Sequence, residues 1–311
     1  MAATCVKGFL ALVKASLDSA RRITKAEKNV QRYFSYIMNG VDQLYAGIND
    51  PNIEIHVKVR GFVICKLQEE FKHRFSQVQH VNGFTFVNGT TYLYDLLIMD
   101  LAGAFSQIPE FDQITLFTRI ISIHNVLKDH YNKDIIIIIR IHMLNALSVS
   151  YTGRICEPGY RVEIVHMSDY YRTTSTAAHE LGHSLGAVHD GDDTARGCKA
   201  EDGYIMAPVL HKFLPNKPYT SNPWIFSMCS VEAFKRTIVH KPDLKKKPVY
   251  TQPELDQWNK FMAKLPGQKY SPSKQCQLII GPGSSSCEVC TKIYVSVCAL
   301  RVQCYIAFLM C

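Results

Sequence analysis

The sequence predicts an α/β fold, a parallel sheet with helices on both faces, followed by a small disulfide-rich C-terminal module. Three observations carry that expectation. Val30, Phe34, Ile37, Val41 and Leu44 recur at helical spacing, and Ile53, Ile55, Val57 and Val59 then alternate with polar residues, so a helix hands over to a strand. A second helical stretch, residues 173–187, follows an alternating segment at 161–166. Six of the eleven cysteines fall between Cys276 and Cys311. Strand, helix, strand order begins a doubly covered sheet, whereas clustered cysteines substitute cross-links for a core.

Taken in order, residues 9–15 form the first expected strand, running into a polar turn at 18–22. Thr24 and Glu27 form a capping box that opens the long helix. The strand beginning at Ile53 is extended by residues 62–65. Asn82 and Gly83 sit between β-prone flanks as a hairpin turn. Residues 91–105 return to helical spacing, and 114–117 give a third strand. The five isoleucines of 135–139 suit a buried strand or an insertion. Residues 148–156 are expected as an edge strand and 161–166 as a further strand. On the helix 173–187, Ala178, Leu181 and Leu185 form the core-facing stripe.

Composition narrows the class. At 311 residues the chain accommodates a catalytic-size domain of about 200 residues plus a smaller module. Hydrophobic residues at 47% and charged residues at 20% describe a globular protein with a core. The net charge of +8 is dispersed, and the one cluster, Lys245 to Lys247 with Lys241 nearby, reads as a solvated linker. Eleven cysteines point to an oxidising compartment, and Asn88 in Asn-Gly-Thr is a glycosylation candidate consistent with secretion. The apolar run at residues 8–13 is short for a signal peptide, and no stretch is long enough to span a bilayer.

The chemistry is concentrated in His179 to Asp190, which reads His-Glu-Leu-Gly-His-Ser-Leu-Gly-Ala-Val-His-Asp. His179 and His183 lie one helical turn apart on one face and can share a metal. Glu180 lies where its carboxylate reaches a water held by that metal without being a ligand. A third ligand requires the chain to turn, and Gly186, free to take a positive φ, lets His189 swing back. Three histidines leave one position of a tetrahedral Zn2+ open, which marks a catalytic site. Asp190 follows the last histidine, and Met206 lies seventeen positions beyond it, where a methionine turn passes beneath the metal.

With these motifs the sequence resembles the metzincins, and the aspartate after the third histidine is similar to the reprolysin (adamalysin) branch. The likeness covers most of residues 6–240, is most specific over 161–230, and runs closest to tick salivary metalloproteases and the ADAM-TS group. It implies a zincin-type domain over residues 1–244, with a twisted, mostly parallel sheet and a substrate cleft along the edge strand. It also implies a zinc-dependent metalloendopeptidase that is secreted, monomeric and extracellular. Its partners would be extended polypeptides, host matrix or clotting proteins such as fibrinogen by analogy, and not nucleic acid. Glu180 would be the catalytic base, Asp190 and Met206 supports of the site, and residues 207–209 a wall of the substrate pocket. By position Cys198 and Cys229 would form a disulfide. Cys156 matches a cysteine that pairs near the domain's end, where this chain has Lys241, Pro242, Asp243 and Leu244 instead. Reprolysins are held latent by a prodomain thiolate, and Cys5 is the only thiol upstream, so a mature or truncated form with an unblocked metal site is expected.

Residues 245–275 read as a linker with a helical patch at 254–262, and 276–311 resemble a truncated disintegrin-like cysteine-rich module. Cys287 and Cys290 have metal-ligand spacing, yet beside four further cysteines they read as disulfide partners. The alternative function is a cell-surface or matrix binding protein acting through this tail, with catalysis incidental or lost. Deleting residues 250–311 separates the two. A protease keeps small-peptide cleavage after the deletion, whereas a binding protein loses target capture, measured by pull-down.

Overall fold

The computed structural model describes residues 4–6, 20–63, 78–81, 84–106, 108, 111–118, 121–123, 148–167, 170–208, 221–245, 271, 273–274, 277, 282–286 and 304–306. The chain divides into two compact units, Met1–Pro248 and Val249–Cys311. Within the first, β1 (Thr4–Val6), β4 (Ile114–Thr118), β7 (Val162–His166) and β6 (Ser148–Ser150) form one sheet in that order. β1, β4 and β7 run parallel, and β6 closes the edge antiparallel to β7. A smaller sheet joins β2 (Val78–Val81), β3 (Phe84–Asn88) and β5 (Ile121–Ile123). β2 and β3 pair antiparallel with Val81 opposite Phe84, the register expected of a hairpin with two intervening residues.

Period-2 alternation divides the main sheet's side chains between two layers. Ile114, Leu116, Val162 and Ile164 join Leu93, Leu96 and Leu97 of α2 (Gly89–Leu101) in one buried cluster. Their neighbours in the strands face the other way, where α1 (Ala20–Ala46) packs against α3 (Tyr170–Ser184). Val30, Phe34, Ile37, Val41 and Leu44 of α1 are all buried, and the Phe34 ring lies 4.7 Å from that of Phe117 in β4. Near the end of α1, Tyr45 stacks on Phe226 and Phe234, tying in α4 (Met228–His240).

Two expectations are corrected. Residues 53–59 keep their alternation, with Val57 and Val59 buried and Glu54 and His56 exposed, but form no strand beyond a single β-bridge at Val59. Asp42 of α1 replaces the ladder: its Oδ1 accepts from Val57 N at 2.7 Å and its Oδ2 from Lys58 Nζ at 2.7 Å. The capping box does not open α1, which begins at Ala20, because Ala20, Arg21 and Arg22 are themselves good helix formers. The expected strand at 9–15, the isoleucine run and the helical patch at 254–262 lie outside the described residues. So do the tail cysteines apart from Cys304, which sits in β9 (Cys304–Ile306) paired with β8 (Ser284–Ser286). Among the described residues no helix is long and apolar enough to cross a membrane.

An ion pair between a buried Asp100 and a partly buried Arg161 joins the layers. Asp100, near the end of α2, accepts from Gly159 N at 2.7 Å and from Arg161 Nε at 3.0 Å, while Arg161 also donates to Phe111 O and lies over its ring. Breaking a buried pair by removing one partner leaves an uncompensated charge. Asp100→Ala is therefore expected to lower stability by about 3 kcal/mol, seen as a lower urea midpoint at unchanged slope.

Candidate metal centre

The site is organised by how α3 ends. Gly186 takes φ 99°, its N–H donates to His183 O at 2.7 Å, and Ala187 N donates to Gly182 O at 3.0 Å. These bonds form a Schellman motif, which satisfies the last helical carbonyls and turns the chain back. A Cβ at Gly186 would come within 2.2 Å of Thr237 Oγ1, so the position is closed to side chains by space as well as by φ. The predicted stripe of Ala178, Leu181 and Leu185 is buried. The same helix leaves His179 and His183 half-buried on another side, where His189 joins them.

One ring nitrogen from each of the three imidazoles lies within 4.8 Å of the others. His179 Nε2 is 3.1 Å from His183 Nε2 and 3.3 Å from His189 Nε2. The contact between His179 and His183 is not a hydrogen bond. His179 Nδ1 faces Ile205 O at 2.8 Å and His183 Nδ1 faces Ala187 O at 2.7 Å, so each Nδ1 carries the proton and each Nε2 a lone pair. Bare lone pairs converging at this distance repel, and a cation between them removes the conflict. A tetrahedral ion about 2.0–2.1 Å from each nitrogen would hold them roughly 3.3–3.4 Å apart. The donor set therefore fits zinc. Burial pushes His183 down to about 4, against the pull of its bond to Ala187 O, which keeps its lone pair free at neutral pH. His189 is also lowered by burial, and its Nδ1 lies 3.7 Å from Asp192 Oδ2.

Glu180 is buried, with 4% of its surface exposed, and its Oε2 accepts from Ser150 Oγ of β6 at 2.9 Å. Burial pushes its carboxyl up to about 8, opposed by the Ser150 bond and reinforced by Glu163. A dication at the imidazoles would act in the opposite direction. Glu163, in β7 beneath α3, accepts from Thr115 Oγ1 at 2.7 Å and Gln113 Nε2 at 3.3 Å, and Gln113 also donates to Ser184 Oγ at 2.9 Å. Burial raises Glu163 to about 8 as well.

The return loop is pinned from below. Asp190 N donates to Met206 O at 2.9 Å, and the buried Asp190 Oδ1 accepts from Ser227 Oγ at 2.6 Å, just before α4. Met206 is fully buried, and a Cβ at Gly182 would meet its Sδ at 2.5 Å. Cys198 and Cys229 are disulfide-bonded, with Cα atoms 6.1 Å apart. Cys156 is a free thiol whose Sγ lies 3.6 Å from Asp112 Oδ1, and burial with that carboxylate pushes it up to about 12. Beside it Glu157 pairs with Lys241, so an ion pair spans the two segments where the family pattern implied a disulfide. Ala207 is buried and Pro208 exposed; Val209 lies outside the described residues. Asn88 ends β3, opposite Ile123 in register.

Sequence reasoning missed Ser150, Gln113, Glu163, Gly182 and Ser227. Glu163 stands in a well-alternating strand, where a charged residue reads as solvent-facing, and only the packing of α3 over it shows otherwise. The sequence of Ser150 carries no signal, because its partner is thirty positions away on another element.

An imidazole set converging from one helix and its return loop is the mark of a metal-dependent peptidase. This chain belongs to metallopeptidase family M12, residues 15–221 matching its Reprolysin_5 group. It is 33% identical over 151 residues to the human A disintegrin and metalloproteinase with thrombospondin motifs 20, covering 46% of this chain and 7% of that protein. It is 24% identical over 301 residues to the Bombyx mori A disintegrin and metalloproteinase with thrombospondin motifs like, covering 91% of this chain and 39% of that one. The chain thus spans well under half the length of either relative. Among solved structures, archaemetzincin from Methanopyrus kandleri aligns over 77% of this chain and 96% of its own, with 15% identity and a TM-score of 0.37.

The buried Glu163 sets a pH dependence. Unfolded, its carboxyl ionises near 4.5, whereas folded it holds its proton to about 8. The stability it contributes is therefore fully present below pH 4.5 and is lost as pH rises towards 8. Glu163→Gln, a neutral isostere, is expected to be more stable than the parent at pH 8–9, by on the order of a few kcal/mol at about 1.36 kcal/mol per pKa unit. The two should converge near pH 4.5, as measured by urea unfolding across pH.

Proposed function

We propose that the chain is a secreted zinc-dependent metalloendopeptidase, with His179, His183 and His189 as the metal ligands and Glu180 as the general base. The observation that carries this reading is the convergence of three imidazole nitrogens, with the lone pairs of His179 and His183 fixed by main-chain carbonyls behind the rings. When bound, zinc supplies Lewis-acid polarisation of the scissile carbonyl and lowers the pKa of a water to about 7. Glu180 takes a proton from the attacking water and passes it to the leaving amine, a task suited to a carboxyl raised by burial. Asp190 and Met206 hold the return loop beneath the ligands without touching the reacting atoms. An extended polypeptide would lie along β6, the edge strand of the sheet, by adding a strand to it. Secretion is supported by the Cys198 and Cys229 disulfide and by the density of cysteines in the tail.

The test combines metal removal with one substitution. Chelation should abolish cleavage of a mixed peptide library, and added zinc should restore it. Glu180→Gln should retain one zinc per chain while kcat falls roughly 10²–10⁴-fold, the range of general-base contributions. Cleavage that survives chelation, or a Glu180→Gln chain as fast as the parent, would overturn the reading.

A further inference from the structure

Ser150 lies on β6 directly opposite Glu163 of β7, and Glu163 lies opposite Thr115 of β4, so the three side chains form one row across the sheet on the face beneath α3. A serine beside a buried acid would ordinarily donate to it, but here Thr115 and Gln113 already serve Glu163. The Ser150 hydroxyl turns instead to the helix. It lies 2.9 Å from Glu180 Oε2 and 3.0 Å from the Glu180 main-chain oxygen. The edge strand therefore reaches the side chain and the backbone of one residue of α3 through one hydroxyl.

We propose that Ser150 is a positioning residue for Glu180, anchoring carboxylate oxygen Oε2 from the edge strand so that Oε1 is held for proton transfer. This rests on the reading of Glu180 given above. The carboxyl sits on a side chain with three rotatable bonds, and the Ser150 bond selects among its rotamers. A hydrogen bond to a charged acceptor is about twice as strong as a neutral one, so the hold on Oε2 strengthens when Glu180 ionises. The same strand that would pair with a substrate backbone thereby sets the base, which makes the register of the substrate and the aim of the carboxylate two properties of one element.

The test uses the full 311-residue chain. Ser150→Ala should keep one zinc per chain and a KM within about two-fold of the parent, with kcat reduced on the order of ten-fold or more, the size of one charge-assisted hydrogen bond. Ser150→Thr, which keeps the hydroxyl, should recover most of the loss, and Ser150→Val, its equal in shape, should not. A second measurement needs no activity. In metal-free protein, Ser150→Ala should lower Tm by several degrees when Glu180 is present and by less than half as much in a Glu180→Ala background. An unchanged kcat in Ser150→Ala, equal activity of the Thr and Val variants, or additive Tm shifts would each overturn the positioning role while leaving Glu180 as the base. A Glu180→Gln chain that cleaves normally would instead overturn the general-base reading, and the positioning role with it.

Discussion

The contact on which the centre depends is the close approach of Met206 to α3 at Gly182. Met206 packs into space that any side chain at 182 would occupy, so the return loop runs flush beneath the helix. Everything above follows from that closeness. Ile205 O comes within reach of His179 Nδ1, and Met206 O within reach of Asp190 N. The first bond fixes a tautomer, and the second fixes where the chain stands one residue after His189. Three clustered imidazoles have no attraction of their own, so the main chain supplies the order that holds them. Ser227 and the disulfide to Cys229 then hold this loop against the start of α4.

Beneath the same helix the chain buries two carboxyl groups, Glu163 and Glu180, and Glu163 adds to the cost of ionising Glu180. Interiors tolerate such groups only with partners, and the partners are divided with little overlap. Thr115 and Gln113 take Glu163, and Ser150 takes Glu180. Gln113 extends the network to Ser184, one turn after Glu180, so the polar row under the sheet is joined to the last turn of the helix. This arrangement is costly in stability at neutral pH, because burial opposes the ionisation of both carboxyl groups.

The histidine motif was legible because it is local: a 3.6-residue period and one glycine place three imidazoles within a span of eleven residues. Strands flanked by clear turn chemistry, such as the hairpin around Asn82 and Gly83, were legible for the same reason. The segment 53–59 was not. Its alternation is real, but its Val57 N–H goes to the Asp42 carboxylate, on a helix eleven residues before the segment begins, and not to a strand. Glu163 and Ser150 were hidden likewise, since an alternating pattern does not say whether its polar side meets water or another helix. The Cys198 and Cys229 pairing came from resemblance, not from composition.

Cys156 shows how this chain departs from the pattern it belongs to. Its backbone takes φ 66° with its N–H bonded to Asp112 O at 2.9 Å, and its thiol is free beside a carboxylate. The neighbouring Glu157 and Lys241 pair connects the same two segments without a covalent bond. A partly exposed ion pair contributes about 0–1 kcal/mol, against about 2–4 kcal/mol for a disulfide, so it cannot by itself hold the end of α4. The loop after β6 is instead secured from its other side, by the Asp100 and Arg161 pair, by Gly153 N on His183 O, and by Ile155 N on Ser184 O. Those last two bonds run to the final turn of α3. The edge strand is therefore fastened to the histidine-bearing helix rather than to the domain's end, and it is this attachment that brings Ser150 to Glu180.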